Sequence, residues 1–139
     1  MAATQCRNFN GYKPCSKIDS LTQSCSELCS HFDRPTERIL IVHLGALGAV
    51  VRSTALLPAI RRKYDGAHIT WVTDGPGDIL LKEHPLVDRL ITTDTSGLIE
   101  LSALEFDVAF VIDKSLKASG VLRHTRVQQA FGFCANPKT

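Results

Sequence analysis

The chain has 139 residues, enough for one sizeable core and too few for a two-domain enzyme. Hydrophobic residues make up 44% and charged residues 22%, the balance of a soluble globular domain, which argues against general disorder. A formal net charge of +2 is too small to point to nucleic acid, and none is expected as a partner.

The first segment, residues 1–35, is mostly small, polar or Cys, with little periodicity. Met1-Ala-Ala-Thr-Gln-Cys6 lacks the charged start and apolar run of a secretory signal, so a cytoplasmic location is the default expectation. Four cysteines fall here, Cys6, Cys15, Cys25 and Cys29, spaced C-x8-C-x9-C-x3-C. Four thiolates complete a tetrahedral zinc shell, and the last pair has a usual ligand spacing. An iron–sulfur cluster takes the same ligand set, and free or oxidised thiols are the third reading. His31 is either a substitute ligand or a surface residue.

After Pro35 the composition changes, and residues 36–139 read as alternating strands and helices. Ile39-Leu-Ile-Val42 opens a strand over residues 39–43, which breaks at Gly45-Ala-Leu-Gly48 into a helix over residues 48–64. Pro58 predicts a kink in that helix, and Arg61-Arg-Lys63 predicts a solvated basic last turn. No run reaches the ~20 apolar residues of a membrane span, since the longest, residues 39–51, contains His43 and two glycines. His68-Ile-Thr-Trp-Val-Thr73 suits a second strand, ended by the turn-like Asp74-Gly-Pro-Gly77 and followed by a short helix over residues 78–82.

Residues 89–93 read as a third strand, 97–104 as a helix, 106–112 as a near-continuously apolar fourth strand, 114–123 as a helix and 128–133 as a fifth strand. Cys134, beside Phe131 and Phe133, reads as a small packed hydrophobe. The alternation predicts a Rossmann-like parallel sheet with helices on both faces, and its stop near Thr139 suggests the front part of something longer.

In such a sheet His43, Asp74, Asp94 and Asp113 gather at the carboxyl ends of the strands, where open α/β folds bind ligands. A carboxylate or imidazole there can take a proton from a hydroxyl. Each aspartate also has a structural reading: Asp74 capping its turn, Asp94 solvated, and Asp113 capping the helix that begins at Lys114. Gly45 and Gly48 are either ligand-facing or present only for the turn and close packing. Lys114, Ser115 and Lys117, at a helix start, suit a phosphate or carboxylate, or form a solvated face.

Taken together, Arg38-Ile-Leu-Ile-Val-His-Leu-Gly-Ala-Leu-Gly48, Thr54-Ala-Leu-Leu-Pro-Ala-Ile60, Arg62-Lys-Tyr64, His68 to Thr73, Pro85-Leu-Val-Asp88, Phe106-Asp107 through Lys117, and Phe131-Gly-Phe133 resemble the N-terminal half of glycosyltransferase family 9, the ADP-heptose:lipopolysaccharide heptosyltransferases. The leader is similar to one found in some members, through Cys6-Arg7 and Lys13-Pro-Cys15. The resemblance implies a two-domain GT-B glycosyltransferase at the inner face of the cytoplasmic membrane. Its N-terminal domain would bind a lipopolysaccharide core acceptor and its C-terminal domain, outside this sequence, the ADP-sugar. It also implies inverting transfer without a metal, so zinc at the cysteines would be structural.

One departure stands out. The family's Gly-Asp, whose Asp is the expected base, reads Gly48-Ala49. Either His43, Asp74 or Asp113 substitutes, or the chain is a non-catalytic acceptor-binding or scaffold protein. Lys117 matches a basic family position expected to meet acceptor anions. A stand-alone nucleotide-binding domain, with Asp74 gripping a ribose, fits less well because the glycine pattern is not G-x-G-x-x-G.

Overall fold

Ile39 and Ile41 face one side of strand β1 (Arg38–Val42), Leu40 and Val42 face the other, and all four are fully buried. A strand apolar on both faces needs cover on both, and the computed structural model supplies it. The structure describes residues 5–9, 15, 17, 25–136 and 138. They divide into two compact units, Met1–Thr36 and Glu37–Thr139.

The second unit is a five-stranded sheet, parallel at every pairing, in the order β3-β2-β1-β4-β5. The other strands are β2 (His68–Thr73), β3 (Arg89–Thr92), β4 (Glu105–Val111) and β5 (Arg126–Gly132). Helices α1 (Leu47–Ser53), α2 (Leu57–Lys63) and α3 (Gly75–Leu81) contribute Val50, Leu57, Ile60 and Leu81 to a core around Trp71. Helices α4 (Thr95–Ser102) and α5 (Leu116–His124) contribute Leu101, Ala118 and Val121 to the core on the opposite face. This is the Rossmann-like α/β fold expected from the alternation.

Several boundaries differ from the sequence reading, each for a physical reason. The helix expected over 48–64 is two helices separated by a 3₁₀ turn, Thr54–Leu56. Pro58 lies in the first turn of α2, where its missing N–H leaves no helical bond unmade, so it starts a helix rather than kinking one. Asp74-Gly-Pro-Gly77 is likewise a helix entry: α3 begins at Gly75, with Pro76 in its first turn. The basic last turn of α2 is not wholly solvated. Arg61 donates to the carbonyls of Ala67 and Leu86 at 2.6 and 2.8 Å and to the Asp88 carboxylate at 2.8 Å, while Asp88 also accepts from the Ile69 N–H. Burial works against the Asp88 carboxylate, yet the Ile69 N–H and Arg61 hold its pKa below the ordinary value.

In the first unit, residues 5–9 and 31–33 are tied together. The Arg7 N–H donates to the Asp33 carbonyl at 2.6 Å, the Arg7 guanidinium pairs with the Asp33 carboxylate at 2.9 Å, and the Asn8 amide donates to the His31 carbonyl at 2.9 Å. Among the described residues, no helix is long and apolar enough to cross a membrane.

Candidate functional site

The order 3-2-1-4-5 reverses between β1 and β4, so the loops leaving these two strands diverge to opposite faces and leave a crevice. A cavity of ≈ 600 Å³ occupies this place, lined by His43, Gly45, Ala46 and Ala49 from the β1–α1 side and by Asp113, Lys114, Ser115 and Lys117 from the β4–α5 side, with Asp74 at its edge. The volume is in the range of small-molecule sites.

Asp113 joins the two loops. Its Oδ2 accepts from the Leu44 N–H at 3.0 Å and the Gly45 N–H at 3.4 Å, and its Oδ1 accepts from the Ser115 N–H at 2.8 Å. Burial raises its pKa, but these N–H donors outweigh that and hold it below the ordinary carboxylate value. A carboxylate so satisfied is a weak proton acceptor. The cap of α5 is Ser115, whose Oγ accepts from the Ala118 N–H at 3.1 Å, and not Asp113.

Asp74 accepts from Thr93 Oγ and from Lys117 Nζ, the latter at 2.8 Å. Burial again opposes the charge, while Lys117 and Thr93 bring the pKa below its ordinary value. With Lys117 55% and Asp74 31% exposed, the pair adds little to stability, and its effect is to fix where the ammonium stands.

His43 differs from both aspartates. It is buried, and Nδ1 lies 2.7 Å from Ser53 Oγ, which donates its own proton to the Ala49 carbonyl at 2.9 Å. With the single Ser53 proton donated to the Ala49 carbonyl, the tautomer that satisfies both contacts has Nδ1–H donating to Ser53 and Nε2 unprotonated. Burial lowers the pKa of the imidazole, against the Asp113 charge that raises it, so the ring is neutral at pH 7. The one candidate with a basic nitrogen at neutral pH therefore sits one hydroxyl away from position 49.

The β1–α1 loop is itself unusual. Ala46 is left-handed, at φ 56°, a conformation that costs a residue with a Cβ about 1–2 kcal/mol. Neither Gly45 nor Gly48 has a positive φ, and a Cβ on either meets nothing within 4 Å. Close packing within the chain thus accounts for neither glycine. Gly45 lines the cavity and Gly48 does not. Asp94 is outside it as well, where its Oδ1 caps α4 by accepting from the Gly97 N–H at 2.8 Å.

In the first unit, Cys6, Cys15, Cys25 and Cys29 line one small cavity together with His31. Among the described residues, however, no three His, Cys, Asp or Glu side chains stand close enough together to hold a metal ion. The four thiols share a cavity without forming a ready ligand shell. Cys134 is exposed rather than packed.

No family model matches the chain. Over 53 residues, 38% of this chain and 16% of the relative, it is 36% identical to lipopolysaccharide heptosyltransferase 1 of Campylobacter coli. Its fold matches a glycosyltransferase family 9 structure from Veillonella parvula with a TM-score of 0.61, at 22% identity, over 71% of this chain and 32% of the other. It also matches the E. coli heptosyltransferase WaaC with ADP, with a TM-score of 0.61 at 18% identity, over 68% of this chain and 34% of that one. E. coli ADP-heptose lps heptosyltransferase II gives a TM-score of 0.55 at 22% identity, over 63% and 28% of the two chains. The resemblance to glycosyltransferase family 9 is borne out. The chain spans about a third of the length of these glycosyltransferase structures.

Three residues of the site escape a reading by type and position. Ser53 orients His43, and the available signal was its place four residues after Ala49 on a helix, where a hydroxyl reaches back to a carbonyl. Thr93 holds Asp74 across two strands, and nothing local marks it. Ala46 gives no sign in sequence of its left-handed backbone.

Proposed function

We propose that this chain is the acceptor-binding domain of a heptosyltransferase-like glycosyltransferase in which His43 replaces the missing carboxylate base at Ala49. The observation that carries this reading is the neutral imidazole beside position 49, with Nδ1–H engaged by Ser53 and Nε2 left basic. In the proposed reaction Nε2 takes the proton of an acceptor hydroxyl. The oxygen then attacks the anomeric carbon of an ADP-sugar as the bond to the diphosphate breaks, inverting that centre. Lys114 and the Asp74-held Lys117 would face phosphate or carboxylate groups of a lipopolysaccharide core acceptor. The donor would come from a second domain, and no metal enters the transfer.

The test is transfer of radiolabelled heptose from ADP-heptose to lipopolysaccharide core by the longest reading frame that carries this sequence. Wild-type turnover with a loss of about 10²–10⁴-fold in His43→Gln supports the assignment. Turnover unchanged in that variant rejects His43 as the base. Ala49 itself favours a second reading, a binding protein without turnover. Acceptor binding that is lost in Lys117→Ala, with no transfer in the wild type beside an active control enzyme, would select it.

A further inference from the structure

The proposed transfer makes no use of the first unit, which poses its own physical problem. A compact unit of the size of Met1–Thr36 is below the ~40 residues at which an apolar core alone usually suffices, and units so small ordinarily rely on disulfides or a metal. Leu28 is 95% exposed, so one of the few large apolar side chains of this segment adds nothing to a core. All five cysteines are free, so no disulfide performs the task. What the unit does have is four thiols, from widely spaced positions, around a cavity with ≈ 10 Å³ of room, space for about one water-sized atom.

Two of those sulfurs already receive N–H groups. The Asp33 N–H points at Cys6 Sγ and the His31 N–H at Cys29 Sγ, each at 3.4 Å, and the Asn8 amide approaches Cys6 Sγ at 3.9 Å. A neutral thiol is a weak acceptor, so it gains little from backbone donors. A metal-bound thiolate carries negative charge that such donors offset, and outer-shell partners of this kind orient ligands and tune the metal. The Arg7–Asp33 and Asn8–His31 bonds fix the two segments that carry these donors, so the arrangement does not rest on one contact.

We propose that Cys6, Cys15, Cys25 and Cys29 bind one structural Zn²⁺ as a tetrathiolate, and that this ion is what holds the first unit folded. Binding releases four thiol protons to solvent and leaves a site of charge −2, which the Asp33 and His31 N–H groups partly offset. The thiols border one cavity without forming a ready ligand shell, so ligation requires them to move inward. Coupling of this sort between binding and folding is general for small metal domains.

The test titrates the full chain, purified reduced and free of metal, with Co²⁺ as the probe and then with Zn²⁺. The expected result is one Co²⁺ per chain, with thiolate-to-cobalt charge-transfer and tetrahedral d–d bands that Zn²⁺ abolishes. A thiol reagent should then modify one of the five cysteines, Cys134, in the zinc form, and all five after chelation. Cys15→Ser should lose the tetrahedral spectrum and Cys134→Ser should keep it. Should Cys15→Ser fail to fold, the wild-type thiol count decides by itself. Five equally reactive thiols with and without Zn²⁺, or an octahedral cobalt spectrum, would overturn the site. A purified protein carrying iron and acid-labile sulfide would overturn the zinc assignment, and two disulfides surviving under reducing conditions would overturn both.

Discussion

Replacing Asp113 with Ala should destabilise the chain by about 2–4 kcal/mol at pH 7. The carboxylate accepts three backbone N–H groups, and Leu44, which provides one of them, is 2% exposed. Removing the acceptor of that N–H costs about 1–3 kcal/mol, and the lost charge-assisted bonds add to it. Gly45 and Ser115 are exposed, so their N–H groups recover water and add little. Asp113→Asn keeps one acceptor but turns an NH₂ toward a donor, for a smaller loss of about 1–2 kcal/mol.

The assay is urea unfolding. With a slope of about 1–3 kcal/mol per molar for a small protein, the Ala variant should unfold at a urea concentration about 1–2 M lower. Because the folded pKa of Asp113 is depressed, its contribution is fully present above the unfolded value of about 3.9 and disappears as the pH falls through the folded value. The gap between wild type and Asp113→Ala should therefore close in acid. A gap below about 0.5 kcal/mol at pH 7, or one unchanged down to pH 2, would refute the account.

Gly97→Ala would set a Cβ 1.8 Å from the Thr92 carbonyl and 2.9 Å from Ile91 Cγ2; a loss of about 2–3 kcal/mol, near 10 °C in melting temperature, is expected by calorimetry. Gly45→Ala, with open space around the new methyl, should melt within about 2 °C of wild type under the same conditions. Arg61→Ala takes the guanidinium partner from the Asp88 carboxylate and should cost about 2–3 kcal/mol in urea unfolding. Burial lowers the pKa of His43 from its ordinary 6.5, so if it is the base of the proposed transfer, rate should be lost only as the pH drops below that value; an acid limb centred above pH 7 in the pH–rate profile would count against His43.

The sheet was largely legible because its information is local. β1, β2 and β4 are apolar, β-branched runs bounded by glycine, proline and aspartate, and each expected strand lies within a few residues of the observed one. Helix termini were less legible, since they depend on which of several competent residues makes the bond. Asp113 and Ser115 both suit a cap, and Ser115 makes it while Asp113 accepts N–H groups from the loop after β1. Arg61 reads as one of three solvated cations until Asp88 and two carbonyls are placed beside it by the fold. Within the candidate site, residue type and strand-end position sufficed to nominate His43, Asp74 and Asp113. The Ser53 hydroxyl beside His43, Thr93 and Lys117 beside Asp74, and the N–H groups around Asp113 distinguish the imidazole from two anchored carboxylates.

The bond between Asp113 and the Leu44 N–H spans 69 residues of sequence, and it also constrains when the cavity can come into being. β1 pairs directly with β4, and contacts of such separation form slowly because loop closure precedes any reward. Before that contact forms, the Leu44 and Gly45 N–H groups lack their Asp113 acceptor. During synthesis the crevice accordingly cannot be complete before residue 113 has emerged and docked, because one of its two walls depends on that contact.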